Sequence, residues 1–305
     1  MYQYTAFGLH ICSALRLPEL TVAGDATPNI VIDAAPLDWR PAAVDADGTC
    51  FEITPTEAHL HWEEIGSYRV RNGAEVTIDA LPGVDERLVR LPLLGTVLAV
   101  LLHQRGHLTL HASVVAIADQ AAIFIGDKGQ GKSTMAAALY ARGHVLAADD
   151  MATLDTDPTA PPLVRPGFPQ FKLWPATLSS LGDDPEALPR LADGFEKRAR
   201  LVTQRFADQS LPVGGIFVLR IGSALEIRRL GPQEALIQLV THTYVARFGN
   251  QMLHGAAAAE HLRRCAYVVR TVPVYALERP RSLDLLPAIV QLVEDQIVRG
   301  APALK

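Results

Sequence analysis

Gly126-Asp127-Lys128-Gly129-Gln130-Gly131-Lys132-Ser133-Thr134 is a complete G-x-x-x-x-G-K-[ST] phosphate-binding loop. Its flanks have the required character. Ala121 to Ile125 (AAIFI) reads as a short apolar strand, and Thr134 to Arg142 (TMAAALYAR) is rich in helix formers. A chance glycine-rich turn would match the pattern without this ordered strand and helix. Glycines let the backbone curl so that successive N–H groups point inward, and the helix that follows brings its positive end to the same spot. An anionic phosphate is favoured there. Lys132 is placed to reach the outer phosphates of a nucleotide such as ATP, and the Ser133 hydroxyl to coordinate Mg2+.

Asp149-Asp150 is the next clue outward. Gly143 suits a helix C-terminal cap, and His144 to Ala148 (HVLAA) reads as a second buried strand with the acidic pair at its end. A strand, a helix and a parallel strand bring both strand ends to one side, so both carboxylates arrive beside the loop. One carboxylate can hold Mg2+ while the other takes the proton of an attacking hydroxyl. The bland alternative is a solvated acidic turn. Upstream, His107 to Ala118 (HLTLHASVVAIA) reads as a strand turned back by Asp119-Gln120 onto Ala121 to Ile125. Pairing Ala118 with Ala121 sets His111 opposite Lys128, within reach of the phosphoryl group or the base. A hydrogen-bonded histidine at a sheet edge is the alternative.

Three pieces in this order, LHASVV at Leu110 to Val115, IFIGDKGQGKST, and RGHVLAADD at Arg142 to Asp150, resemble the catalytic region of HPr kinase/phosphorylases and HPr-kinase-related proteins. The resemblance implies an α/β fold with a P-loop core of HPr kinase C-terminal type and a mixed sheet. It implies a site of His111, Lys132, Ser133, Asp149 and Asp150, with Asp149 as the base and Asp150 on the metal; the reverse division stays open. Beyond the acidic pair the HPr enzymes carry a glutamate followed by Arg-Gly. This chain reads Arg165-Pro166-Gly167-Phe168-Pro169-Gln170-Phe171-Lys172-Leu173-Trp174, with no carboxylate, a departure from the segment that the resemblance ties to phosphorylase activity and a second metal. YTAFGLHI and LHQRGHLTLHAS are instead similar to the divergent branch, some members of which resemble lasso-peptide kinases that phosphorylate a serine of the precursor. HPr kinases form closed oligomers, so an oligomer is possible here.

At 305 residues and 49% hydrophobic, the chain is long enough for one large or two modest domains with a full core. A net charge of -5 argues against a general nucleic-acid surface. Cys12, Cys50 and Cys265 are scattered and odd in number, which suggests reduced thiols in a cytoplasmic protein. MYQYTAFGLH is no secretory signal. Leu91 to Leu102, interrupted by Pro92 and Gly95, is too short to span a bilayer and reads as a buried helix ended by Arg105-Gly106.

Residues 1–85 carry short alternating runs at Asn29 to Ala34, His59 to Trp62 and Ser67 to Val70, a small β-rich N-terminal lobe ahead of a catalytic domain over 86–305. The lobe either binds the acceptor or a partner, or braces the core, with Trp39 and Trp62 as packing residues. Asp155 to Gln170 holds five prolines and passes over the site, as a lid or as a rigid surface loop. Glu196-Lys197-Arg198-Ala199-Arg200 is a solvated helix face or a phosphate contact. Gly215 to Ile221 and Leu225 to Leu230 extend the sheet; Gln233 to Phe248 and Leu283 to Val298 read as helices.

The leading functional expectation is an ATP- and Mg2+-dependent kinase acting on a serine-type hydroxyl of a peptide or protein, with a small-molecule hydroxyl as the closest variant. Two other classes stand beside it: a nucleotide-binding regulator or ATPase switch, and a binding module whose nucleotide site is a relic. The guanine-reading pattern N-K-x-D is absent from the sequence.

Overall fold

The computed structural model describes residues 1–300. Alternating burial organises the first eighty of them into strands, because side chains two apart share a face. These are β1 (Tyr2–Ala6), β2 (Leu9–Ser13), β3 (Thr21–Val22), β4 (Ile30–Ala34), β5 (Thr49–Ile53), β6 (Glu57–Trp62), β7 (Gly66–Arg71) and β8 (Glu75–Ala80). They form one eight-stranded sheet in the order β3-β1-β2-β4-β8-β7-β6-β5. Only the β2–β4 and β4–β8 pairings are parallel. Ile30, Ile32, Leu60, Val70 and Ile78 line its inner face.

That face is covered by the apolar stretch expected as a buried helix. It runs as α1 (Glu86–Pro92), a π-turn over Leu93–Val97 and α2 (Leu98–Gln104), with the Asp85 side chain accepting from the Arg87 N–H at its start. Pro92 has no N–H for the preceding turn, and the helix widens directly after it. Val89, Leu93, Leu94 and Val97 to Leu102 share one apolar core with the sheet. Gly106, at φ 87°, turns the chain out of the helix.

The second half is a mixed α/β unit. Its strands and helices are β9 (Leu108–Leu110), β10 (Ser113–Ile117), β11 (Gln120–Ile125), α3 (Lys132–Ala141), β12 (Val145–Ala148), β13 (Ala152–Asp155), β14 (Leu163–Arg165), β15 (Gln170–Leu173), α4 (Pro175–Ser180), β16 (Arg198–Leu201), β17 (Leu211–Ile221), β18 (Glu226–Arg229), α5 (Pro232–Thr241), α6 (Gly255–Thr271), β19 (Val274–Arg279) and α7 (Leu286–Gly300). The nine-stranded sheet runs β12-β10-β11-β17-β14-β13-β9, with β19 on β17 and β18 on β19. Successive β11 residues alternate between two cores. Ala122 and Phe124 join α3 and α7 on one face, whereas Ala121, Ile123 and Ile125 join α5 and α6 on the other.

Several expectations change here. The strand expected over 107–118 is broken at His111-Ala112: β9 pairs with β13, and only β10 pairs with β11. Ala118 and Asp119, at φ 48° and 58°, make the hairpin turn, so Ile117 faces Gln120 and the register slips by two from the expected one. His111 therefore does not sit opposite Lys128 on a ladder. β12 lies beside β10 rather than β11, but it is antiparallel to β10, which is antiparallel to β11. The loop and the acidic pair still emerge at one end.

The proline-rich stretch is neither a lid nor a surface loop throughout, since β14 pairs with β13 and β17 inside the sheet. Arg198 to Arg200 of the basic run lie in β16 rather than on a helix face, and Arg198 is buried, its Nη2 donating to Glu186. The helix expected to reach Phe248 stops at Thr241, followed by a 3-10 segment over Tyr244–Gln251. α6 and β19 had no counterpart in the sequence reading. Among the described residues no helix is long and apolar enough to cross a membrane.

Candidate active site

The loop between β11 and α3 needs glycine because its backbone turns left-handed. Gly129 and Gly131 have φ of 86° and 82°, and a Cβ on Gly131 would lie 2.8 Å from Arg279 Nη2. Gly131 precedes α3, whose first N–H groups have no partner inside the helix and form an anion-binding end. Arg279 Nη2 donates to the Gln130 carbonyl and ties the loop to the end of β19. Lys132 is 8% exposed; its Nζ donates to the Gly126 carbonyl at 2.7 Å and the Asp127 carbonyl at 3.2 Å. Burial lowers its pKa, and the third ammonium donor remains for an anion. Lys128, Gly129, Gly131, Lys132, Ser133 and Thr134 line a cavity of about 110 Å³.

The acidic pair closes the other wall, and its two members differ. Asp149 is 4% exposed, accepting from Ser113 Oγ at 2.6 Å and from the Lys172 backbone N–H at 2.9 Å. Burial raises its pKa, against hydrogen bonds that include one from Ser133. Asp150 lines the cavity at φ 76°, a left-handed conformation that aspartate tolerates better than most residues. Its Oδ2 lies 2.8 Å from Lys172 Nζ. Burial works against the Asp150 charge, yet Lys172, His111 and Lys197 together outweigh it and hold the carboxyl well below its usual range.

His111 reaches this site by another route than the expected ladder. It stands in the break between β9 and β10, its N–H donating to the His242 carbonyl. Its Nδ1 lies 3.0 Å from the Asp150 backbone carbonyl. A carbonyl only accepts, so Nδ1 carries the proton and Nε2 is a bare acceptor. Burial pushes the imidazole pKa down to about 4. Because this lies below the ordinary value of 6.5, His111 is neutral at neutral pH, and its share of stability is lost as pH falls from 6.5 through 4. We expect nitrogen-15 NMR to hold its neutral Nδ1–H pattern down to about pH 5; a midpoint between 6 and 7 would refute the assignment.

All five residues singled out by spacing, His111, Lys132, Ser133, Asp149 and Asp150, thus converge within one loop-and-strand cluster. Two others were missed. Ser113 lay within the quoted LHASVV string, and its hydroxyl on Asp149 was foreshadowed only by the His-Ala-Ser spacing. Lys172 lay in a segment read for its missing carboxylate, not for the cation it carries. Lys197, from the run read as a helix face or a phosphate contact, lines the cavity with its Nζ 5.8 Å from the Trp174 ring centroid. Two larger cavities adjoin. One of about 340 Å³ shares Lys172 and runs between α1 and the β15–β16 hairpin; the other, about 390 Å³, shares Gly129, Gly131, Thr134 and Trp174.

No family model and no curated protein matches the sequence. Among solved structures the chain is similar to the Hpr(Ser) kinase/phosphatase from Coxiella burnetii, at 14% identity, covering 63% of this chain and 97% of that one, with a TM-score of 0.33.

Proposed function

We propose that the chain is an ATP-dependent kinase that transfers the γ-phosphoryl group to a serine-type hydroxyl of a peptide or protein. One observation carries this reading: the phosphate loop, two further ammonium groups and the Asp150 carboxylate face a single cavity, and Lys172 also lines a second, larger cavity with room for another substrate. Nucleotide binding alone would need only the loop.

Ser133 and Asp149 suit Mg2+, being a neighbouring hydroxyl and carboxylate, and such an ion takes one or two carboxylates with phosphate oxygens and water. When bound it would neutralise charge on the transferring group. This division reverses the roles implied by the resemblance, because Asp150 lines the cavity whereas the Asp149 carboxylate is held by Ser113 and the Lys172 N–H beside Ser133. In our reading Asp150 orients the acceptor hydroxyl and takes its proton, as the oxygen bonds to the γ-phosphorus and the bond to the bridging oxygen breaks. ADP leaves with the electron pair. The transition state is loose, so an orienting carboxylate need not be strongly basic. Lys132 holds the outer phosphates. The sequence resemblance makes a lasso-type precursor peptide the first acceptor to try.

Incubation with γ-labelled ATP, Mg2+ and serine peptides, read by mass spectrometry, is expected to label serine. Lys132→Ala should weaken ATP binding about 10- to 100-fold, the worth of a charge-assisted hydrogen bond, and remove the label. Free phosphate without labelled peptide would favour an ATPase switch, and tight binding without turnover a regulator.

A further inference from the structure

The 390 Å³ cavity beside the phosphate loop is lined by neither Lys172 nor Asp150. It shares Gly129, Gly131 and Thr134 with the phosphate cavity, and Trp174 lines both. Three large apolar side chains that the fold leaves exposed converge on it: Trp174 at 49%, Ile221 at 43% and Leu283 at 38%. They come from the start of α4, the end of β17 and the segment before α7, so no single packing requirement explains their meeting. Arg279 and Arg281 are the charged residues lining the space, and no carboxylate does. Arg281 Nη2 lies 3.8 Å from the position of a Cβ on Gly129, which sets a guanidinium over the loop.

We infer that this cavity holds the nucleoside half of the phosphoryl donor, with its base stacked on the Trp174 indole and Ile221 and Leu283 opposite. The inference rests on the kinase reading and adds the residues that grip the donor beyond its phosphates. An anionic ligand entering from the loop meets two cations and no anion. A flat apolar ring meets an aromatic face and two aliphatic side chains, the composition expected of a small-molecule site. The volume is within the range of such sites. The arrangement also separates the substrates: the donor lies along the loop on one side, the acceptor enters past Lys172 on the other, and the two meet at Asp150.

Calorimetric titration of Mg2+-ATP and of Mg2+-tripolyphosphate tests this, since the second ligand carries the phosphates without a base. Trp174→Ala should weaken ATP binding about tenfold or more, in line with base–aromatic stacking, and leave tripolyphosphate within about twofold. Trp174→Phe should recover most of the loss, and Leu283→Asp should reproduce the selective defect from the opposite wall. Equal losses for both ligands would make the indole a prop for the loop, and no loss for either would remove the cavity from donor binding; each overturns the inference. Wild-type protein that binds neither ligand, with Lys132→Ala indistinguishable from it, would instead overturn the kinase reading on which the inference stands.

Discussion

Asp150→Asn is expected to slow phosphoryl transfer about a thousandfold, within the range for loss of a general base, while ATP affinity changes only a few-fold. The change keeps shape and one acceptor oxygen but removes the charge that faces Lys172 Nζ at 2.8 Å and the proton acceptor at the cavity wall. Asp149→Asn should behave differently. Its carboxylate touches Ser113 and the Lys172 N–H, so its loss should appear first as a raised Mg2+ requirement. Titrating Mg2+ in both variants separates the two roles. If Asp149→Asn abolished transfer at every Mg2+ concentration, and Asp150→Asn were rescued by excess Mg2+, the roles would be the other way round.

The parts legible in sequence were those set by local spacing. A loop of fixed pattern between a strand and a helix, and an acidic pair ending the next strand, needed only chain direction to be brought together. His111 was placed near the site by a register that the protein does not use. Its true support is the break after Leu110 and the carbonyls of His242 and Asp150, which are contacts between residues far apart in sequence. Lys172 was hidden for a related reason. Lysine in a polar-looking segment is usually a solvated residue, and only the passage of β15 beside the acidic pair turns it into a buried partner. α6 was missed because its apolar stripe, with Cys265 and Val268 facing the core, is thin and begins in an alanine run. The basic run at Glu196 to Arg200 read as a helix face because strand pairing with β15 is not a local property.

Lys172→Met is expected to lower transfer about a hundredfold or more and to destabilise the fold by about 3 kcal/mol, the low end for removing one partner of a buried ion pair. Lys172 and Asp150 side chains are 12% and 27% exposed, so neither is well screened by solvent. The pH dependence follows from both partners. Asp150 is held below its ordinary value of 3.8, so its contribution is full above that pH and is lost as pH falls toward the folded value. Burial works to lower the Lys172 pKa, but Asp150 raises it above 10.5, so its contribution is full below that pH and is lost as pH rises through the folded value. The stability gap between wild type and Lys172→Met in urea should therefore be widest and flat from about pH 5 to pH 9, narrowing on either side. Lys172→Met combined with Asp150→Asn removes both charges, and should recover part of the stability without recovering transfer. A double variant as unstable as Lys172→Met alone would mean that the lysine stem is needed for packing. Recovered transfer would mean that the pair restrains the site, leaving catalysis to Asp149.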